Sequence, residues 1–484
     1  MNRALRGPAV FVIALIALGV VAGTVHPASR LKPRPTAEAL PVSDSQLVCP
    51  DTTGESDGAT TVTVANTSAQ LPSAKTASVR RTTTLMSGSK AKTVTLPDRP
   101  VSRVATSDVG QALAITNTGA GAGAVAADQN RLIPRGLFRA LLSAPCLAPG
   151  TDWWITGTDG RVGYSDRLVI ANPGTTIANI TVTAWSDKGE LEPPKLQSYS
   201  VVPGTANVLP VSQFAPNAGS VTLRVHANSG RIVSEVLDRR ISGISPVGSD
   251  WIPPTQPPAR DLVIPGYLGG RGARRLVITA PGTSDATVQL RLATTRGNFA
   301  PAGHQTVVVP ADHTVELDIG SSLGGVPGAV VLHSDQDVVA SGWSWAATTS
   351  AKDHPDLQWQ PAALPVTRPA ALPDNAPPFD STLRLYVTAP EAGARLRVTP
   401  TSGAAKILSI PAGRTVAWDP GNAFGKDAYG PLVFTSAGGG PVYVSRSLFA
   451  YGAHGPLVTS EQPTPLPASV LLPAVEPDPR AGVP

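Results

Sequence analysis

The stretch RLVIANPGTT at residues 167–176 returns as RLVITAPGTS at 275–284 and again as RLYVTAPEAG at 384–393. The arginines that open these stretches, Arg167, Arg275 and Arg384, lie 108 and 109 residues apart. Their sequels repeat too: VVPG, VVPA and SIPA place Pro203, Pro310 and Pro411 at intervals of 107 and 101 residues. Self-similarity at a fixed period marks tandem copies of one unit, and this period is long enough for a whole small domain. A degenerate copy precedes the three. TTVTVANTSAQ at 61–71 resembles the opening stretch, and Pro97 of KTVTLPDRP lies 106 residues before Pro203.

Within each copy apolar and polar positions alternate, as in HTVELDI, where Val315, Leu317 and Ile319 share a face. Alternation bounded by PG, KG, NSG and AGG is the pattern of half-buried antiparallel strands. The 46 glycines and 49 prolines in 484 residues point the same way, because both residues weaken helix interiors and favour turns. Six strands per copy, with RLVIANPG as the first strand and its turn, suit two packed sheets. A propeller blade would use only about 40–50 residues. The expected fold class is therefore all-β: tandem immunoglobulin-like β-sandwich repeats of about 107 residues after one N-terminal transmembrane helix.

The expected organisation is a signal anchor over 1–30, a degenerate β-domain over 31–150, sandwich repeats over 151–250, 251–358 and 359–460, and a Pro/Ala-rich tail over 461–484. The proline-rich passages 251–265 and 359–379 read as stiff linkers, which predicts a rod of units. Trp251 and Trp359 open these passages, and Trp153 with Trp154 stands at the comparable place, so they read as interface plugs.

Arg3 and Arg6 precede an uncharged run from Ala9 to Val25, 17 residues that at about 1.5 Å each reach the lower end of a membrane span. The expectation is a cell-membrane protein, single-pass with an extracytoplasmic C-terminal region, or a secreted one if the segment is cleaved. Cys49 and Cys146 are the two cysteines, and in an oxidising compartment they would form one intrachain disulfide. A net charge of +5 spread over four units is too thin for nucleic-acid binding, and Arg271, Arg274 and Arg275 read as a solvated loop.

The pattern LVIANPGTT…ITVTAWSDKGE, then VVPGT, then RIVSEV, resembles repeats in uncharacterised secreted or membrane-anchored actinobacterial proteins of a numbered domain-of-unknown-function family. The resemblance spans roughly residues 40–460, and the third repeat departs from it where APEAG replaces NPGTT. It implies tandem β-rich units behind a membrane segment and an envelope or extracellular location. It offers no catalytic residues to carry over.

Motifs that carry chemistry are scarce in the sequence. None of the seven histidines falls in HExxH or HxH spacing, and His304 and His313 lack a third ligand. GWSWA at 342–346 sits on an expected strand and lacks the strand-to-helix elbow of a nucleophilic serine. GYLGGRGARR at 266–275 lacks the Lys-Ser/Thr of a phosphate loop. No catalytic, metal or cofactor site is expected. Trp343 and Trp345, two apart on a strand, face one side: exposed, they would form a platform for sugar rings, and buried, they would be core. The expected function is a non-enzymatic exported envelope protein, an adhesion or scaffolding rod. Its expected partners are a cell-wall polysaccharide or envelope protein, with the membrane held through the N-terminal helix. The alternative is an enzyme or enzyme accessory acting on cell-wall glycans at a domain junction.

Overall fold

The computed structural model describes residues 38–50, 60–71, 77–88, 91–106, 111–191, 198–348, 350, 352–377, 382–467 and 469–472. Among the described residues nearly all regular structure is strand, and the one α-helix there, Gly421–Phe424, has four residues. Glu38–Pro41 and Ser469–Leu472 pair as a separate two-stranded ladder. Everything else belongs to one compact body, Pro41–Ala468.

The second copy of the repeat shows the unit plainly. Asp152–Thr158, Val221–Ser229, Ala178–Ser186 and Tyr199–Val201 form one sheet, in the order first, sixth, third, fourth when the short Gly189–Leu191, which folds back on Ala178–Ser186, is left uncounted. Thr205–Pro210, Arg167–Asn172, Val233–Ser242 and Ser245–Ile252 form the other, in the order fifth, second, seventh, eighth. We call these the A sheet and the B sheet. Leu168, Ile170 and Val236 of the B sheet meet Ile180, Val182 and Leu223 of the A sheet in one buried cluster. The same two strand orders recur between residues 44 and 145, 259 and 361, and 370 and 461. The degenerate first copy is thus a full member. In the third unit the sixth and seventh strands are one continuous run, Gly328–Trp345, whose halves pair in different sheets.

Two sequence expectations change. RLVIAN is the second strand of its unit; the first is DWWITGT, drawn from the tryptophan passage. Likewise WI at 251–252 and LQWQP at 357–361 end their units as the last of eight strands common to all the units, where six were expected; units two and three each add a short strand, Gly189–Leu191 and Asn298–Phe299. These strands are buried on both faces, which removes the alternation that marks a half-exposed strand. The closing strand Leu357–Pro361 runs across the expected boundary at 358–359. In the first unit Cys49 and Cys146 are bonded and fully buried within its core. Closing a loop of 97 residues is worth about 4–5 kcal/mol in the chain-entropy picture.

The units do not string out. Each A sheet lies against the B sheet of the next unit. Val48, Ala112 and Ala114 of unit one meet Ala171 and Val233 of unit two. Trp154 and Trp185 of unit two meet Val339 of unit three, with Thr222 and Thr279 hydroxyls 2.6 Å apart. In the next interface Thr415 of unit four donates to the Ala293 carbonyl of unit three at 2.6 Å. Ala371 and Val433 of unit four then meet Ala126 of unit one, which closes the circle. Alanines, valines and threonines recur at these interfaces, joined at the second by the tryptophan pair, while leucines and isoleucines concentrate in the cores within units. Eight sheets therefore succeed one another face to face around a common axis as propeller blades do, two sheets to each sequence repeat.

The expected rod is not what forms. Pro253, Pro254, Pro257 and Pro258, and then Pro365 and Pro369, lie in short connections, 253–258 and 362–369, that turn the chain into the next unit, while Pro265 and Pro361 are built into strands. The closing strands Ala140–Pro145, Ser245–Ile252, Leu357–Pro361 and Gly455–Glu461 each pack against two others and make a central hub. The membrane placement is also corrected. Among the described residues no helix is long and apolar enough to cross a membrane, and the proposed span Ala9–Val25 lies outside them.

Candidate functional site

The hub is bound together by buried polar groups from all four units. Asp356, at the start of the third closing strand, accepts the backbone N–H of Ser249 at 3.1 Å, Val458 at 3.0 Å and Leu141 at 3.4 Å. One carboxylate thereby ties its own unit to the other three. Burial pushes it up to about 7, against those N–H bonds and the charge of Arg139. Arg139 of unit one donates to the carbonyls of His354, Pro355, Gly455 and Pro456. Midway along the hub Asp250 accepts Trp359 N–H at 3.1 Å and Thr459 Oγ1 at 2.9 Å. Where unit four closes on unit one, Arg446 lies 2.8 Å from Glu461 and 3.7 Å from Asp128, all fully buried. Ser143 Oγ adds a 2.6 Å bond to Glu461. Burial raises both carboxyls, with the nearby charge of Asp374 adding to each and that of Glu461 adding to Asp128. Glu235 is fully buried with neither oxygen hydrogen-bonded, and burial holds its carboxyl well above the ordinary range. The hub holds the ring together and is closed to solvent.

A cleft of about 450 Å³ opens between units two and three, away from the linkers. The loop after the first strand of unit two supplies Arg161 and Tyr164; the seventh strands supply Arg240, Trp343 and Trp345; Arg275 and Glu316 line it from unit three. Arg240 is stacked between aromatic rings, 4.2 Å from the Trp343 centroid, 5.3 Å from Trp359 and 5.4 Å from Tyr164. Every arginine here has a carboxylate: Arg161 with Asp159 at 2.5 Å, Arg240 with Asp238 at 2.8 Å, Arg275 with Asp318 at 3.3 Å. Glu316 also accepts from Ser220 across the interface. The cleft therefore offers aromatic walls and oriented donors with little net charge.

Trp343 and Trp345 do belong to this cleft, yet they are no flat platform. Trp343 is only 7% exposed and packs into the core of unit two; Trp345 is half-buried at the cleft. Their rings are tilted by 55° with centroids 5.7 Å apart. Sequence spacing put both on one side correctly. It missed Arg161, Tyr164 and Arg240, because these come from a different repeat and nothing local marks them. Arg274 is no solvated residue: it is 1% exposed and donates to the carbonyls of Leu268, Gly269, Ala273 and Trp345, fastening its glycine-rich loop. Ser344 of GWSWA is fully buried. His313 turns to the Ala311 carbonyl at 2.6 Å, and no group of three or more metal-ligating side chains occurs among the described residues.

No curated protein matches the sequence. Among solved structures, a crystal structure titled Thermotoga maritima 1070 is 17% identical over 22% of this chain and 93% of its own, with a TM-score of 0.19. So low a score supports no argument about fold or function. The family described as "Family of unknown function (DUF5719)" matches residues 101–421, about two thirds of the sequence, from the fifth strand of the first unit into the fourth. The chain belongs to this family, DUF5719.

Proposed function

We propose that the protein is a non-enzymatic binding scaffold that takes a neutral, polyhydroxylated ligand, a segment of polysaccharide, in the cleft between units two and three. The observation that carries this reading is the composition of the cleft. Tyr164, Trp343 and Trp345 give apolar faces for sugar rings, while Arg161, Arg240 and Arg275 are each already charge-paired. Paired arginines remain hydrogen-bond donors but attract anions weakly, which favours a neutral glycan over a phosphate. Ligand sites commonly combine apolar walls with a few placed polar groups, and they favour domain interfaces. The glycan-cleaving alternative would need two facing carboxylates. Glu316 is the acidic group lining the cleft, and it lies 3.8 Å from Arg275.

At the finer level of fold we propose kinship with immunoglobulin-like sandwiches. Second-with-fifth and third-with-sixth strand pairing is common to both, although here the seventh strand joins the second. The repeat boundaries then fall in the short connections, near residues 146–151, 253–258 and 362–369.

Co-sedimentation of the purified protein with separated polysaccharide and peptidoglycan fractions tests the function. Saturable binding to a polysaccharide is expected, weakened at least about tenfold in Trp345→Ala measured well below its own melting temperature. Absence of binding to every fraction, or full binding by the variant, would overturn it.

A further inference from the structure

We propose that a second cavity, at the linker end of the hub, binds a single-chain anionic amphiphile such as a long-chain carboxylate. The four closing strands all run toward this end, and the residues that follow them line the cavity. Its volume is about 600 Å³, inside the range of small-molecule sites. Pro145, Pro254, Pro361 and Pro465 line it with Trp153 and Val366. Proline has no backbone N–H and a fixed φ, so these walls are rigid and poor in donors. Such a surface accepts a hydrocarbon body and gives a sugar or a chain of ordered waters little to bond. The polar side chains in the wall are mostly engaged. Gln462 Nε2 donates to the Pro361 carbonyl at 2.6 Å and Gln256 Nε2 to that of Asp261 at 3.3 Å. Asp152 is held by Arg224 at 2.8 Å, by Trp154 Nε1 at 3.1 Å and by His226 at 3.2 Å.

Arg368 is the exception. It lines the cavity, is exposed, and has no ion pair or hydrogen bond among the described residues. Leu364 also lines the cavity, with 61% of its surface in solvent. An apolar chamber with one uncompensated cation at its lining matches a ligand with a hydrocarbon tail and one negative head, the head on the guanidinium. This site is distinct from the aromatic cleft, which lies toward the other ends of the strands.

The probe is cis-parinaric acid, a fluorescent long-chain carboxylate, titrated into the full chain. Saturable fluorescence enhancement is expected, displaced by palmitate well below the concentration of hexadecanol needed. Arg368→Gln should weaken the carboxylate about tenfold and leave hexadecanol unaffected. Leu364→Asp should weaken both, whereas Trp345→Ala in the other cleft should change neither. Both altered residues in this cavity are exposed, so matching melting curves are expected. No saturable binding, or equal affinity in Arg368→Gln, would overturn the proposal. So would binding only by a chain ending at Leu472, which would give the cavity to the protein's own C-terminal residues.

Discussion

Gly157 shows how much one residue decides. It sits at a bulge in the first strand of unit two, with φ of +104°, and a Cβ there would overlap the indole ring of Trp359 from unit three. Gly266 stands at the matching bulge of unit three, φ +96°, against Ser445 of unit four. The pair ITGT and IPGY is a repeated signal visible in the sequence, but its meaning lies in a neighbouring unit that the sequence does not place. Gly157→Ala should cost at least about 2 kcal/mol, combining a left-handed backbone with overpacking. Urea unfolding measures this, and a change within about 0.5 kcal/mol would refute the contact. The side chains of Trp343 and Trp345 illustrate the same limit. Period-two spacing gave their shared side, while burial of one and partial exposure of the other depend on Arg240 and Trp359, which sequence does not bring near.

At the scale of elements, strands with one face in a core and one face outward were legible from alternation, as in Ala286–Thr294 and Ala394–Pro400. First and closing strands were not, because the hub buries both their faces and leaves runs such as AALP and LQWQP without a period. The interface between the last and first units depends on charge. Arg446 satisfies Glu461 of its own unit and Asp128 of unit one, and it donates to the Asp374 carbonyl. Asp374 in turn accepts from Thr63 of unit one at 2.8 Å. Arg446→Ala leaves two buried carboxyls without their cation and should cost about 3–5 kcal/mol, and Arg446→Met, which refills the volume, should cost less. Denaturant midpoints rank the two. Equal stability of Arg446→Ala and the parent would show that the closing contact does not form.

At the scale of the whole molecule, the hub makes stability depend on pH in a definite sense. Asp356 is raised from 3.8 to about 7, and Glu235 and Asp250 are raised as well, all chiefly by burial. A carboxyl whose folded-state value lies above its unfolded one contributes stability that is fully present below about pH 4. That contribution is lost as pH climbs through the folded value. The melting temperature should therefore fall between about pH 5 and 8, by on the order of a few kcal/mol in free energy for Asp356 alone. Asp356→Asn should flatten that slope; an unchanged slope would remove Asp356 from the explanation. The recurrence of sequence along the chain was legible, and so was its nearly all-strand make-up. The ring was not, since nothing local in the proline passages distinguishes a turn from a spacer. Small-angle scattering of Pro41–Ala468 tests the closed ring most directly. A single compact body of that length should give a radius of gyration of about 22 Å. Four units in line would approach twice that, about 40 Å, and such a value would contradict the ring.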